Sequence, residues 1–228
     1  MENINCIICS SDSASPFLMI NDRLSNVKED FQLVKCECGL VYLNPRPKFE
    51  NIKKFYQSHE YDPHKNLKNN FRDKTYKIVQ KLTLKWKHKI ITSFITTGAL
   101  LDIGGGRGAF AKFMKEKGWE VTLQENFGKI DKRINGLHHI KKLEELDCSD
   151  KFDVITLWHS LEHIHDIHAL FNKINKFLNP VGILLIAVPN INAPERKFYN
   201  KNWAPYDAPR HLYHFNLSSL TLLCSNYG

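Results

Sequence analysis

Four glycines in five positions, Gly104, Gly105, Gly106 and Gly108, follow directly on the run Ala99 to Ile103. This stretch limits the fold more tightly than any other part of the chain. The run reads as a buried strand, the glycines as a turn, and Phe110, Phe113 and Met114 as one face of a helix that opens near Ala109. Glycines let a backbone approach a ligand with no Cβ in the way, and the N–H groups at a helix start attract negative charge. The turn is therefore read as a cradle for a small molecule with an anionic end.

Two cofactor classes use such a cradle. Gly104-x-Gly106-x-x-Ala109 satisfies the dinucleotide pattern, with Glu125 about twenty residues on, where a ribose-binding acid is expected. The fuller pattern is Asp102-x-Gly104-x-Gly106-x-Gly108, with an acid at the strand end and glycines at alternate positions. It resembles the first motif of the class I S-adenosylmethionine-dependent methyltransferases. That resemblance implies that Asp102 helps to hold the methionine ammonium of the cofactor, and that Gly104, Gly105, Gly106 and Gly108 pass beneath its adenosyl and methionine parts. The run Trp119 to Glu125 reads as a second strand ending in an acid, which places Glu125 at the carboxyl rim of the sheet to accept both ribose hydroxyls. His138 to Ile140 reads as a weak third strand, followed by Lys141 and Lys142 before Glu144 and Glu145, and no residue is assigned to adenine.

Phe152 to Trp158 is a buried strand that runs into His159-Ser160-Leu161-Glu162-His163-Ile164. The resemblance continues here and implies that this strand end, Trp158 and His159, faces the methyl donor and the acceptor. His159, Glu162 and His163 stand at i, i+3 and i+4 and would share one face of a helical turn. The spacing His-x-x-Glu-His is also the inverted zincin pattern, which needs a long helix and a distant third ligand. Some ubiquinone-pathway O-methyltransferases carry Glu-x-x-Glu-His here and bind a divalent cation; His159 replaces their first glutamate, against the oxygen preference of Mg²⁺. The preferred reading makes His159 a general base toward the acceptor, with Glu162 and His163 bracing the loop. His163 and His211 stand beside it as further catalytic candidates.

A helix over His168 to Leu178 is expected to end at Asn179-Pro180-Val181-Gly182. Ile183 to Val188 reads as a fifth strand, its continuous apolar run implying burial on both faces. The aromatic-rich segment from Glu195 to Phe215 reads as an acceptor lid, in which Arg210 could hold a carboxylate or phosphate, and His211 or His214 could serve as a second base. Pro209 to Phe215 also resembles a segment of the same methyltransferase group. A last helix after Asn216 reaches Tyr227-Gly228. Without the final strand hairpin of the resembling fold the fifth strand would be a bare edge, so the expectation is either that the sequence is a fragment or that something covers that edge.

The six cysteines are Cys6, Cys9, Cys36, Cys38, Cys148 and Cys224. In a reducing compartment the first four suggest tetrahedral zinc, which would hold together a segment too short for its own core, and the last two suggest buried thiols. Cys6-x-x-Cys9 has standard spacing, whereas only Glu37 separates Cys36 from Cys38. With Asn44-Pro45-Arg46-Pro47, residues 6 to 47 resemble a short zinc-ribbon-like domain found ahead of methyltransferase domains. Residues 48 to 97 read as a connector: a short helix at Phe55-Tyr56, a turn at Tyr61-Asp62-Pro63, and an amphipathic helix reaching about Phe94.

The chain of 228 residues carries a net charge of +8. Lys48 to Lys89 holds twelve Lys or Arg and four Asp or Glu, which is the whole excess, since the remainder holds twenty of each sign. Lys77, Lys81, Lys85 and Lys89 recur every four residues beside Ile78, Leu82, Trp86 and Ile90. This reads as a solvated basic stripe on a helix packed against the next domain, and nucleic acid is disfavoured as a partner. No apolar run is long enough to cross a bilayer, and Met1 to Asn5 lacks the marks of a signal peptide, which makes the cytoplasm the default location.

The expected fold is α/β: a Rossmann-like, doubly wound, mostly parallel sheet at residues 98–228, after a zinc-ribbon-like domain at 1–50 and a connector at 51–97. The expected function is transfer of a methyl group from S-adenosylmethionine to a small-molecule acceptor, a sugar or other metabolite. A nicotinamide-dependent enzyme and a non-enzymatic zinc or nucleic-acid module are the alternatives.

Overall fold

The computed structural model describes residues 1–24, 29–56, 71–126 and 136–228, with side chains of 71–74 excepted. In chain order it contains β1 (Ala14–Asn21), β2 (Asp30–Cys36), β3 (Val41–Leu43), α1 (Phe49–Ile52), α2 (Phe71–Thr92), β4 (Ala99–Ile103) and α3 (Ala109–Glu116). There follow β5 (Glu120–Gln124), β6 (His138–Ile140), β7 (Phe152–Trp158), α4 (Ile167–Phe177), β8 (Leu178–Ala187), α5 (Pro194–Tyr199), β9 (Tyr213–His214) and α6 (Leu217–Ser225). The turn expected at Tyr61-Asp62-Pro63 lies outside the described residues.

Two compact units make up the chain, and they do not follow its order. One comprises Met1–Pro63, Leu161–Ala169 and Val188–Gly228, the other His64–Ser160 and Leu170–Ala187. The first unit is built on an antiparallel sheet in the order β1-β2-β3-β9, so a two-residue strand from the end of the chain completes the N-terminal meander. Leu33, Tyr42 and Leu43 of this sheet, and Leu40 just ahead of β3, are wholly buried. The Asn216 side chain caps α6, accepting from the Ser219 N–H at 2.8 Å.

The second unit carries a five-stranded sheet in the order β6-β5-β4-β7-β8, every pair of which is parallel. Its first strand is central and the order reverses on either side of it, which is the doubly wound Rossmann-like arrangement. Leu100, Leu101, Val154, Ile155 and Leu157 are wholly buried, as parallel strands covered on both faces require. In sheets of this order ligands bind outside the carboxyl ends of the strands at the reversal, which here is the end of β4, where the glycines lie.

Three expectations are corrected. Among the described residues the fifth strand, β8, pairs with β7 alone and is an edge, and Ile183 to Ile186 are half-buried rather than covered on both faces. The turn expected at 179–182 survives as an irregularity inside it: Phe152 pairs with Leu178 and Val154 with Ile183. On α2 the expected packing stripe is wrong. Ile78, Leu82 and Trp86 are 60, 60 and 57% exposed, whereas Ile91 is wholly buried and Leu84 packs with it against the core around Leu100, Phe110 and Met114. Cys148, expected to be buried, is exposed.

Candidate functional site

The carboxyl end of β4 and the start of α3 are joined by the glycine turn, in which φ is positive at Gly104, Gly106 and Gly108. Two of these glycines are needed for different reasons. A Cβ on Gly105 would stand 2.3 Å from Asp102 Oδ2 and 2.4 Å from Leu123 Cδ1, so only a bare backbone passes there. Gly106, at φ +57°, has nothing within 4 Å of its Cβ position, so a side chain would project into open space above the turn. The Gly106 N–H donates to Glu125 Oε2 at 2.9 Å, which sets the acid that follows β5 against the turn. One such bond uses one of a carboxylate's roughly four acceptor sites.

Asp102 is 1% exposed. Thr156 donates its hydroxyl to Oδ1 at 2.8 Å, and Oδ2 is buried with no hydrogen-bond partner among the described residues. Burial pushes the carboxyl up to about 6, against the opposing influence of the Thr156 hydroxyl and the Lys87 charge. An orphaned carboxylate oxygen beside a turn stripped of side chains is a place for a cation or a hydrogen-bond donor that the described residues do not supply. Ser160 anchors the other wall, donating to the Ile103 carbonyl at 2.9 Å.

Trp158 ends β7 with its indole edge-on to Phe110 at 5.6 Å, and its buried Nε1 has no acceptor among the described residues. His159 follows it, exposed and at φ +56°. A non-glycine residue in that region stores backbone strain, and the His159 N–H is held by the Ala187 carbonyl at 2.8 Å. The expected helical turn carrying His159, Glu162 and His163 does not form. His159 precedes a 3₁₀ turn that spans only Leu161–His163.

The first unit brings together residues distant in sequence. One carboxylate oxygen of Glu162 and one ring nitrogen each of His163 and His211 lie within 4.8 Å of one another. The two imidazoles meet edge to face at 4.5 Å. Nδ1 of His163 lies 3.0 Å from the Arg210 carbonyl and Nδ1 of His211 2.8 Å from the Pro205 carbonyl. A carbonyl only accepts, so His211 carries the Nδ1 proton and leaves Nε2 as the basic nitrogen, whereas His163 Nδ1 also lies 3.1 Å from the Tyr56 hydroxyl, which can donate as well as accept. Burial, aided by His211, pushes His163 down to about 4; burial likewise pushes His214 down to about 3, with its Nε2 buried and unpartnered.

Arg210 corrects the sequence reading. It does not present its guanidinium to a ligand: it is 1% exposed and donates to Asp22 Oδ1 at 2.8 Å, Asp207 Oδ1 at 2.7 Å and the Phe55 carbonyl at 3.0 Å. What it positions is its own carbonyl, which holds His163.

In the same unit the four N-terminal cysteines converge. Cys6 Sγ lies 3.4 Å from Cys38 Sγ and Cys9 Sγ 3.4 Å from Cys36 Sγ, with all four sulfurs within 4.8 Å of one another. Each pair sits at a tight turn. The Ser10 N–H bonds the Cys6 carbonyl at 2.8 Å, and the Gly39 N–H bonds the Cys36 carbonyl at 2.9 Å with Gly39 at φ +93°. That sharp turn lets a one-residue spacing bring both sulfurs to the cluster.

The family model for a methyltransferase domain matches residues 71–228. The ubiquinone biosynthesis O-methyltransferase of Rickettsia conorii is 25% identical over 127 residues, 52% of this chain and 44% of that protein. The chain thus aligns with less than half of that relative's length. The structure of 1,6-didemethyltoxoflavin-N1-methyltransferase from Burkholderia thailandensis, with bound 1,6-didemethyltoxoflavin and S-adenosylhomocysteine, superimposes with a TM-score of 0.56 at 16% identity, covering 94% of this chain and 88% of that one. A Thermotoga maritima protein described as an S-adenosylmethionine-dependent methyltransferase, possible histamine N-methyltransferase, gives 0.52 at 18% identity, covering 69% and 77%. At these identities the two structures share a fold with this chain.

Proposed function

The chain belongs to the methyltransferase-domain family, and from that premise we propose that it transfers a methyl group from S-adenosylmethionine to a small-molecule acceptor. The observation that carries the reading is the buried Asp102 Oδ2 without a partner, set against a glycine turn that leaves open space at Gly106. The residues fit the cofactor. Asp102 would take its ammonium, Gly104, Gly105, Gly106 and Gly108 would let it lie against the backbone, Glu125 would accept from its ribose, and Trp158 would offer an apolar wall. When bound, the cofactor supplies an electrophilic methyl group on a sulfonium.

The chain's own contribution is alignment and proton management. His159, on the strained residue after β7, would accept the proton that an acceptor hydroxyl or amine releases as its heteroatom bonds the methyl carbon and the carbon–sulfur bond breaks. His163 and His211 are the second choice of base, supported for His211 by the Nδ1–carbonyl bond that leaves its Nε2 basic. A small-molecule acceptor is supported by the relative named for ubiquinone biosynthesis and by the neighbour holding 1,6-didemethyltoxoflavin.

We also propose that Cys6, Cys9, Cys36 and Cys38 hold structural zinc. Zn–S bonds of about 2.3 Å in a tetrahedron place sulfurs about 3.8 Å apart, close to the 3.4 Å seen for two of the pairs. Four ligands leave no open position, so this metal would fold the segment rather than react.

Calorimetric titration with S-adenosylhomocysteine, with NADH as control, tests the cofactor. Binding of the former alone, lost in Asp102→Ala and weakened in Glu125→Ala, is expected; binding of NADH alone would support the nicotinamide reading instead. Metal analysis of the purified protein, with Cys36→Ser beside it, tests the zinc.

A further inference from the structure

Helix α2 turns its most regular apolar row away from the core. Leu82 and Ile91 are about two and a half turns apart and so lie on opposite sides of the helix. Ile91 is wholly buried, whereas Ile78, Val79, Leu82 and Trp86 are each more than half exposed. Spaced three and four residues apart, these four form one continuous outward strip. Lys77, Lys81, Lys85 and Lys89 run along its side, all exposed and none in an ion pair among the described residues. Between Asp73 and Asp102 the sequence contains no acid, so no carboxylate one turn away answers these lysines. Lys87 stands apart from them, half-buried with its ammonium 4.3 Å from the ring centroid of Trp158.

Solitary exposed apolar residues are ordinary; a contiguous strip marks a contact surface. What covers this one must be apolar within and anionic at its margin. Nucleic acid would meet the lysines but has no apolar body for Ile78, Val79 and Leu82. A second copy of the chain would bring a further row of lysines and no anion. The surface of a bilayer that contains anionic lipids supplies both parts: an acyl boundary into which an apolar helix face sinks by about 5–10 Å, and phosphates within reach of flanking lysine stems.

We propose that the outward face of α2 docks on an anionic bilayer surface, with Ile78, Leu82 and Trp86 in the headgroup boundary and Lys81, Lys85 and Lys89 on lipid phosphates. The attachment is peripheral, since among the described residues no helix is long and apolar enough to cross a membrane. The inference goes beyond the cofactor reading and does not depend on it. The two surfaces nevertheless meet: the rings of Trp86 and Trp158 lie 6.5 Å apart, so a docked chain would hold the apolar wall of the cradle one indole away from the bilayer.

Sedimentation of the whole chain with lipid vesicles tests this. Vesicles of phosphatidylcholine with roughly a third phosphatidylglycerol are expected to take up the protein at least tenfold more strongly than phosphatidylcholine alone. Replacing two lysines together, Lys81→Gln with Lys85→Gln, should weaken that uptake by about 30-fold. Leu82→Asp should weaken it by roughly tenfold or more, whereas Val181→Ser, at an exposed apolar residue of β8, should leave it within about twofold. Uptake that the lysine substitutions abolish and Leu82→Asp leaves unchanged would overturn the inference, because any basic chain is drawn to an anionic surface. So would a chain that binds neither vesicle, whether or not it binds a DNA duplex, and so would a dimer in light scattering that Leu82→Asp dissociates. Should Leu82→Asp fold poorly, the same comparison with Leu82→Ser decides.

Discussion

Arg210 and Asp102 are both about 1% exposed, one in each compact unit, and they are solvated in opposite ways. Arg210 donates to both oxygens of Asp22, to Asp207, and to the Phe55 and Ala208 carbonyls. Asp102 receives one hydroxyl, from Thr156, and its second oxygen receives nothing. A charge whose hydrogen-bonding capacity is met within the chain has no reason to recruit a ligand. One left short costs the fold free energy unless a ligand supplies the missing partner. On this contrast Arg210 belongs to the architecture of its unit, and the binding role proposed for Asp102 follows from the partner it lacks.

The largest effect is expected at the saturated charge. Arg210→Met leaves Asp22 buried beside an apolar chain, and loss of one partner of a buried pair costs about 3–5 kcal/mol. Denaturant unfolding should show this as a lower midpoint. An unchanged midpoint would break the comparison at its stronger end.

Asp102→Asn should do the reverse. The carboxyl titrates at about 6 in the fold against 3.8 ordinarily, so between those values the folded chain keeps a proton that the unfolded chain has released. Stability therefore falls as pH rises through that window and is level above it. At pH 7 the neutral amide should make the unliganded protein more stable, by about 1–3 kcal/mol, while affinity for S-adenosylhomocysteine drops by roughly 100-fold. A variant that loses both stability and binding would place Asp102 with Arg210.

A smaller effect sharpens the same point. A ligand ammonium needs the ionised carboxylate, so affinity should rise with pH through about 6. Binding should be about tenfold weaker at pH 5 than at pH 7. Titrations across that range should give a flat profile for Asp102→Asn.

How far the sequence carried this reading depends on whether a feature is local. The β4–turn–α3 unit, β7 and the acid after β5 were legible because strand, turn and helix leave their periods and their glycines in consecutive residues. The cysteine cluster was legible from spacing, apart from the turn at Gly39 that makes the short pair workable. Arg210 was misread because its partners, Asp22 and Phe55, are far away in sequence, and an arginine in a polar segment gives no sign of whether it is paired. The pairing of β9 with β3 and the meeting of Glu162, His163 and His211 were hidden for the same reason. Lys87 was missed although a signal existed. Leu84, Lys87, His88 and Ile91 share one helical face, and a lysine between apolar residues on the buried side of a helix is not solvated stripe.

The smallest expected effect tests that last lesson. Helix α2 carries two apolar rows, and the more regular one, Ile78, Leu82 and Trp86, is the exposed one. Periodicity reports that a helix has an apolar face, but it does not say which of two faces meets a core. If Leu84 and Ile91 are the packing face, Leu82→Ser should shift unfolding by no more than about 0.5 kcal/mol, as surface substitutions do. A loss nearer 2 kcal/mol, the scale of a truncated core side chain, would mean that the regular row is covered in the folded protein.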